Sequence, residues 1–292
     1  MPPTPLDGKP LTEESIDRRA YFADWLTAKE NPYFAKALVN RVWKNFMGRG
    51  LVEAEDDLRE TNPASNRELF DALAKEVIDH QYDVKYLIKQ IALSAAYQRS
   101  SRPLKENAGD DRFYSHYLVR RLSAEVILDA LSQVTNAPTS FTLVYTGVEG
   151  GTAATTNYPM GTRAMQLPDS RVASKFLDAF GRPDRTATCS CERQQDSSVG
   201  HALMLNNGAV LNDKLRDKNS RVSQWLTEKV SDEEAIRRVF LLALCRQPTD
   251  AELKKCRESL FATDPGQTPN RREILEDLFW AILTTKEFLF NH

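Results

Sequence analysis

Residues 271–290, RREILEDLFWAILTTKEFLF, place Ile274, Leu275, Leu278, Phe279, Ile282 and Leu283 three and four positions apart. That interval puts all six on one face of an α-helix, and no strand-like alternation competes with it. The same period recurs upstream. Residues 120–136, RRLSAEVILDALSQVTN, read as a helix opened by Ser123. Asp83 opens another, whose stripe is Leu87, Ile88, Ile91, Ala92 and Ala95. Ser65 and Glu68 form a capping box for a helix reaching His80, and residues 15–29 give a first helix. Asn31 can cap a second helix, with Pro32 in its first turn, running to Met47 and stopped by Gly48. Two more capping boxes, Ser231 to Glu234 and Thr249 to Glu252, start late helices, and Asp169 or Ser170 starts one ending at Gly181. Eight or more amphipathic helices joined by short links imply an all-α, multi-helix fold.

One stretch breaks the pattern. Residues 137–168 are rich in Gly, Thr and Pro and lack helical period, so they read as an irregular insertion loop. Within them FTLVYTGV (141–148) is compatible with a short strand. The reading is one helical domain over 15–292, preceded by a polar, proline-rich linker over 1–14. That linker has no signal-peptide h-region and suggests a domain cut from a longer protein.

Composition narrows the function classes. The chain has 292 residues, 41% hydrophobic and 27% charged, with formal net charge −2. This is a globular composition with no overall positive field to gather nucleic acid. No run approaches the roughly 20 apolar residues of a membrane helix, so no membrane insertion is expected. Four cysteines are too few for a disulfide scaffold, and Cys245 and Cys256 read as small buried residues in helices.

Chemistry-bearing residues concentrate in Phe176–Asn206, FLDAFGRPDRTATCSCERQQDSSVGHALMLN. Cys189 and Cys191 could offer two thiolates, but a closed zinc site takes four ligands, and no second pair is evident. Redox pairs favour Cys-x-x-Cys, and no Cys-x-x-Cys-His haem sequence is present. No metal site or cofactor is therefore expected. Arg163, Arg171, Arg182, Arg185 and Arg193 alternate with Asp169, Asp178, Asp184 and Glu192. Guanidinium groups bind carboxylate or sulfate bidentately, and they also build internal Arg–Asp networks. The evenly mixed signs favour the network; an anion-binding cleft is the sharper alternative. A second cluster runs from Asn40 to Gly50. There Val39, Trp43 and Phe46 read as core, Arg41 as a border residue bonding a neighbouring loop, and Gly48 and Gly50 as a stop and a tight turn.

Several blocks carry a family resemblance. They are RRAYFADWLTAKENPYFAKALVNRVWKNFMGRGLVE (18–53), NPASNRELFDALAKEVI (62–78), GTRAMQLPDSRVASKFLDAFGRPDRTATCSCER (161–193) and LLALCRQPTDAE (241–252). In this order they resemble the carboxy-terminal domain of unknown function of planctomycete-type surface proteins, found in chains that also carry cytochrome-c-like domains. Gln194, Gln195 and Asp196, then Val199 to His201, depart from the pattern of such relatives. The resemblance implies an extracytoplasmic setting, partner domains within the parent protein, and a suspected link to sulfated polysaccharide. Together these readings point to an accessory module binding a partner domain or an acidic glycan. The alternative is an enzyme: a polysaccharide hydrolase, or an oxidoreductase fed by a cytochrome domain.

Overall fold

The computed structural model describes residues 2–6, 8–12, 17–147, 150–168, 171–183, 209–260 and 270–291. The fold is all-α with a few short strands, and the chain divides into two compact units, Met1–Val119 and Arg120–Asn291.

In the N-terminal unit, α1 (Arg18–Thr27) is capped by Asp17, whose side chain accepts from the Arg19 amide. Helix α2 (Phe34–Met47) is entered as its sequence suggests: Asn31 Oδ1 accepts from the Tyr33 and Phe34 amides, at 2.8 and 3.1 Å. It stops at Gly48, which takes φ 81°, a left-handed conformation that glycine adopts without steric cost. Helix α3 (Arg67–Asp79) begins one residue later than the capping box implies. Asn66, not Ser65, accepts from the Leu69 amide, since an asparagine caps as well as a serine. Asp83 caps α4 (Val84–Leu93) as expected. Its stripe is narrower than read, because the helix ends at Leu93: Leu87 and Ile91 are buried and Ala95 is exposed. The core joins Val39, Trp43 and Met47 of α2 to Phe70, Val77, Leu87 and Ile91, with Tyr114 edge-on to Trp43 at 5.3 Å.

The second unit opens with β1 (Arg120–Arg121), paired antiparallel with β4 (Phe290–Asn291). The two arginines that open the 120–136 stretch are thus a strand ahead of the helix. Ser123 then caps α5 (Ala124–Thr135), and Asn136 ends it at φ 56°. Residues in the 137–168 stretch form a hairpin, β2 (Leu143–Tyr145) with β3 (Thr152–Ala154), then a single 3-10 turn over Ala164–Gln166. Next comes α6 (Lys175–Ala179), opened by Ser174. The longer helix expected from Asp169 or Ser170 is not formed over 171–174, where the backbone joins the hairpin instead; 169 and 170 lie outside the described residues.

Five further helices complete the unit: α7 (Ala209–Arg216), α8 (Arg221–Glu228), α9 (Asp232–Leu244), α10 (Asp250–Leu260) and α11 (Arg271–Leu283). Five of the six apolar residues of the α11 stripe are buried in the core, and Ile274 is half-buried. Burying side chains such as Leu278 and Phe279 contributes roughly 1.5–3 kcal/mol each. The helix does not run on to Phe290: Thr285 restarts the chain as α12 (Lys286–Leu289) by accepting from the Phe288 amide. At Thr249 both halves of the box form with Glu252, whereas at Ser231 the hydroxyl accepts from the Glu234 amide but the Glu234 carboxylate pairs with Arg238 instead. Arg246 ties three helices together, gripping Glu252 of α10 at 2.7 and 2.9 Å and Glu287 of α12 through two further bonds.

The cysteines here differ from expectation. Cys245 ends α9 at φ 55° and is exposed, while Cys256 is half-buried; both are free thiols. Desolvation pushes the Cys256 thiol up, away from the reactive thiolate. Under limiting iodoacetamide at pH 8, peptide mapping should therefore find Cys245 alkylated well before Cys256. Equal rates would show that the turn at Cys245 is covered.

Candidate functional site

The arginine segment is visible in its first half. Strand β2 lies between β3 and residues 171–173: the Tyr145 amide donates to Arg171 O at 2.7 Å and the Ala173 amide to Leu143 O at 2.9 Å. This sheet edge sets the entry to α6, whose Phe176, Leu177 and Phe180 are buried. Arg182 then folds back over it. Its Nη2 donates to Val172 O at 2.8 Å and to Asp178 Oδ1, and its side chain is only 6% exposed. Tyr145 OH donates to the other Asp178 oxygen, and that bond raises the tyrosine's pKa. Arg182 and Asp178 thus form an internal tie holding the hairpin to the α6 turn. The Arg182 Nη1 is buried and finds no hydrogen-bond partner among the described residues.

Arg163 is arranged differently. It is 65% exposed, with Nε 3.5 Å from Asp129 Oδ2. The Asp129 carboxylate accepts from the Ala164 and Met165 amides, at 2.6 and 3.1 Å, and so caps the 3-10 turn. Arg171 also lies at the surface, its backbone carbonyl bound into the sheet. Asp169, Asp184, Arg185, Cys189, Cys191, Glu192 and Arg193 lie outside the described residues.

A site that sequence reading missed stands in the N-terminal unit. A cavity of about 1100 Å³ opens between the first turns of α2 and α3 and the loop joining them. Pro32, Tyr33 and Phe70 supply apolar surface, with Lys36, Arg67 and Asp71 beside them. The facing wall is the loop segment carrying Asp56, Asp57, Arg59, Glu60 and Asn62.

This wall is built rather than draped. Asn40, wholly buried on α2, donates through Nδ2 to Val52 O at 2.8 Å and Glu55 O at 3.0 Å, and its Oδ1 accepts from the Val52 amide at 3.1 Å. Gly50 lies so close that an added Cβ would stand 2.5 Å from Val52 O, a contact no side chain tolerates. Asn62 Nδ2 donates to Glu53 O and Asp57 O, at 2.8 and 2.9 Å. Arg41 reaches Asp56 Oδ1 at 2.7 Å, the loop contact its border position suggested. Arg59 grips both oxygens of Asp57 at 2.6 Å, which holds that carboxyl below its usual range. The sequence did carry a signal. Asn40 shares a helical face with Trp43 and Met47, so a polar side chain was bound to be buried there.

Lys214 was missed for a similar reason. Leu211, Lys214 and Leu215 share the buried face of α7. The Lys214 ammonium donates to Ser132 Oγ at 3.0 Å, Ala137 O at 2.7 Å and Thr139 Oγ1 at 2.8 Å. Desolvation brings its pKa down to about 8, with Asp129 and Asp217 pulling the other way. Among the described residues no group of three or more His, Cys, Asp or Glu is placed to hold a metal ion. None of their helices is long and apolar enough to cross a membrane.

Residues 18–260 match the family model described as PSD1, protein of unknown function (DUF1553). The chain belongs to this family. The matched span takes in the cavity's helices and loop as well as the arginine segment, so both features are parts of a DUF1553 domain. No curated protein and no solved structure matches the chain.

Proposed function

We propose that this DUF1553 domain is an accessory binding module of an extracytoplasmic multidomain protein, and that its ligand is a glycan seated in the N-terminal cavity. The carrying observation is the cavity itself, walled by a loop that the buried Asn40 fixes. Ligand sites commonly occupy roughly 300–1000 Å³ and combine apolar surface with a few oriented polar groups. Tyr33, half-buried at the cavity rim, offers an apolar face for sugar C–H groups, and the Asp57–Arg59 pair and Asn62 hold polar atoms in fixed directions. The surface-protein and cytochrome-linked setting rests on the resemblance of the quoted blocks, as does the expectation of partner domains in the parent. The near-neutral charge supports a partner other than nucleic acid.

A hydrolase reading gains less support. A general acid needs a raised pKa, whereas Asp57 is held ionised by Arg59 and Asp178 is occupied by Arg182 and Tyr145. Arg163 and Arg171 keep the surface positions that a polysaccharide contact requires, and Arg182 serves the scaffold.

Calorimetric titration of the full chain against neutral, uronic-acid and sulfated oligosaccharides tests the module. At least one class should bind, and Tyr33→Ala should weaken it about tenfold, as loss of one stacking contact worth roughly 1–1.5 kcal/mol implies. No binding at millimolar ligand, or an unchanged affinity in the Tyr33 variant, would overturn the assignment to this cavity.

A further inference from the structure

We infer that the helix wall of the cavity, Lys36 and Arg67 on either side of Asp71, is an anion subsite that takes a carboxylate or sulfate group of the ligand. This rests on the cavity being the ligand site. On the loop wall the pairs close: Asp56 is answered by Arg41, and Asp57 by Nε and Nη2 of Arg59. On the helix wall two cations share one carboxylate. Lys36 Nζ lies 2.6 Å from Asp71 Oδ1, and Arg67 Nε lies 3.7 Å from Oδ2, too long for a hydrogen bond. One positive charge is therefore left over on that wall.

The two groups differ in a useful way. Lys36 is only 30% exposed, and its ammonium sits 5.7 Å from the Phe70 ring centroid. Arg67 is 86% exposed and carries a guanidinium fork that matches a carboxylate or sulfate bidentately. An anion arriving between them completes the 2:2 pairing that Asp71 alone leaves short. Across the cavity Glu60 carries a charge for which the described residues provide no ion pair, so the two walls differ in sign. A ligand with a negative group on one side and hydroxyls on the other is thereby oriented. This places acidic recognition in the N-terminal unit, away from the arginine segment that the sequence put forward.

The test uses the full chain and one backbone in two charge states: hexameric oligogalacturonate and its fully methyl-esterified form, with a heparin-derived hexasaccharide as the sulfate arm. The acidic form should bind at least tenfold more tightly than the ester, and added salt should erode the difference. Arg67→Met and Lys36→Met should each weaken the acid three- to tenfold and leave the ester unchanged, with Arg67→Lys restoring part of the loss. Circular dichroism checks that the variants fold, each keeping one cation on Asp71. Tight heparin binding with no galacturonate binding, lost in the same variants, assigns the subsite to sulfate. Acid and ester binding equally, and both sensitive to Tyr33→Ala, would remove the anion subsite and leave the module standing. Failure of all three ligands would remove both.

Discussion

Replacing Asn40 with alanine should lower the stability of the N-terminal unit by about 3 kcal/mol and abolish ligand binding in the cavity, although Asn40 is not among the residues lining it. The side chain is 0% exposed and makes three hydrogen bonds to the loop backbone. Each such bond is worth about 1 kcal/mol net, and a buried partner left without one costs about 1–3 kcal/mol. Val52 N–H, Val52 O and Glu55 O would all be stranded. Beyond that, the segment 52–62 would lose its fixed distance from α2, and with it the wall opposite Lys36 and Arg67. Asn40→Asp should be at least as damaging, because it keeps the acceptor for Val52 but loses both donors and buries a carboxylate. Urea unfolding followed by circular dichroism, with calorimetric titration in parallel, measures both effects. A loss below about 1 kcal/mol, or binding that survives, would show that the loop holds its shape without this pin.

Lys214 should give the chain an alkaline stability signature. Burial holds its folded pKa down at about 8, below the ordinary lysine value of 10.5. Between those pH values the unfolded chain holds a proton that the folded one has released, so stability rises with pH across this window. Below about pH 8 both states are protonated and the full cost of burying the charge is present. A displacement of this size corresponds to about 3 kcal/mol at most. In Lys214→Met the cost disappears together with three hydrogen bonds, so at pH 7 the variant should lie within about 1 kcal/mol of wild type. By pH 10.5 wild type should be ahead by up to about 3 kcal/mol. Urea unfolding of both proteins at pH 7, 9 and 10.5 reads this directly. Parallel curves would mean that the Lys214 ammonium is not desolvated as its contacts imply.

Much of the helical scaffold was legible because its causes are local. The cap at Ser231 and the stop at Gly48 are decided by a few neighbouring atoms, and the α11 stripe by helical period alone. Errors arose where two local signals competed. Asn66 took the cap from Ser65, and Thr285 interrupted a helix whose apolar pattern ran on past it. The short α6 failed to extend backward because residues 171–173 found partners in β2, 26 or more positions away.

The function-bearing arrangement was far less legible. Arginine and aspartate at 182 and 178 announce a site and an internal tie equally well, since the same guanidinium geometry serves both; only the side chain's burial settled that pair. The cavity was hidden because its parts are ordinary in sequence, a helix start, a charged loop and another helix start.

The sequence by itself determined the all-α class, several helix caps and stops, and membership of the DUF1553 family, because period, caps and block order are properties of the linear chain. The tertiary structure alone decided that Arg182 turns inward, which backbone and hydroxyl groups Asn40 and Lys214 anchor, and that Lys36 and Arg67 share one carboxylate beside a cavity. Those facts depend on which backbone groups lie opposite a side chain across the fold, and no local spacing encodes that distance.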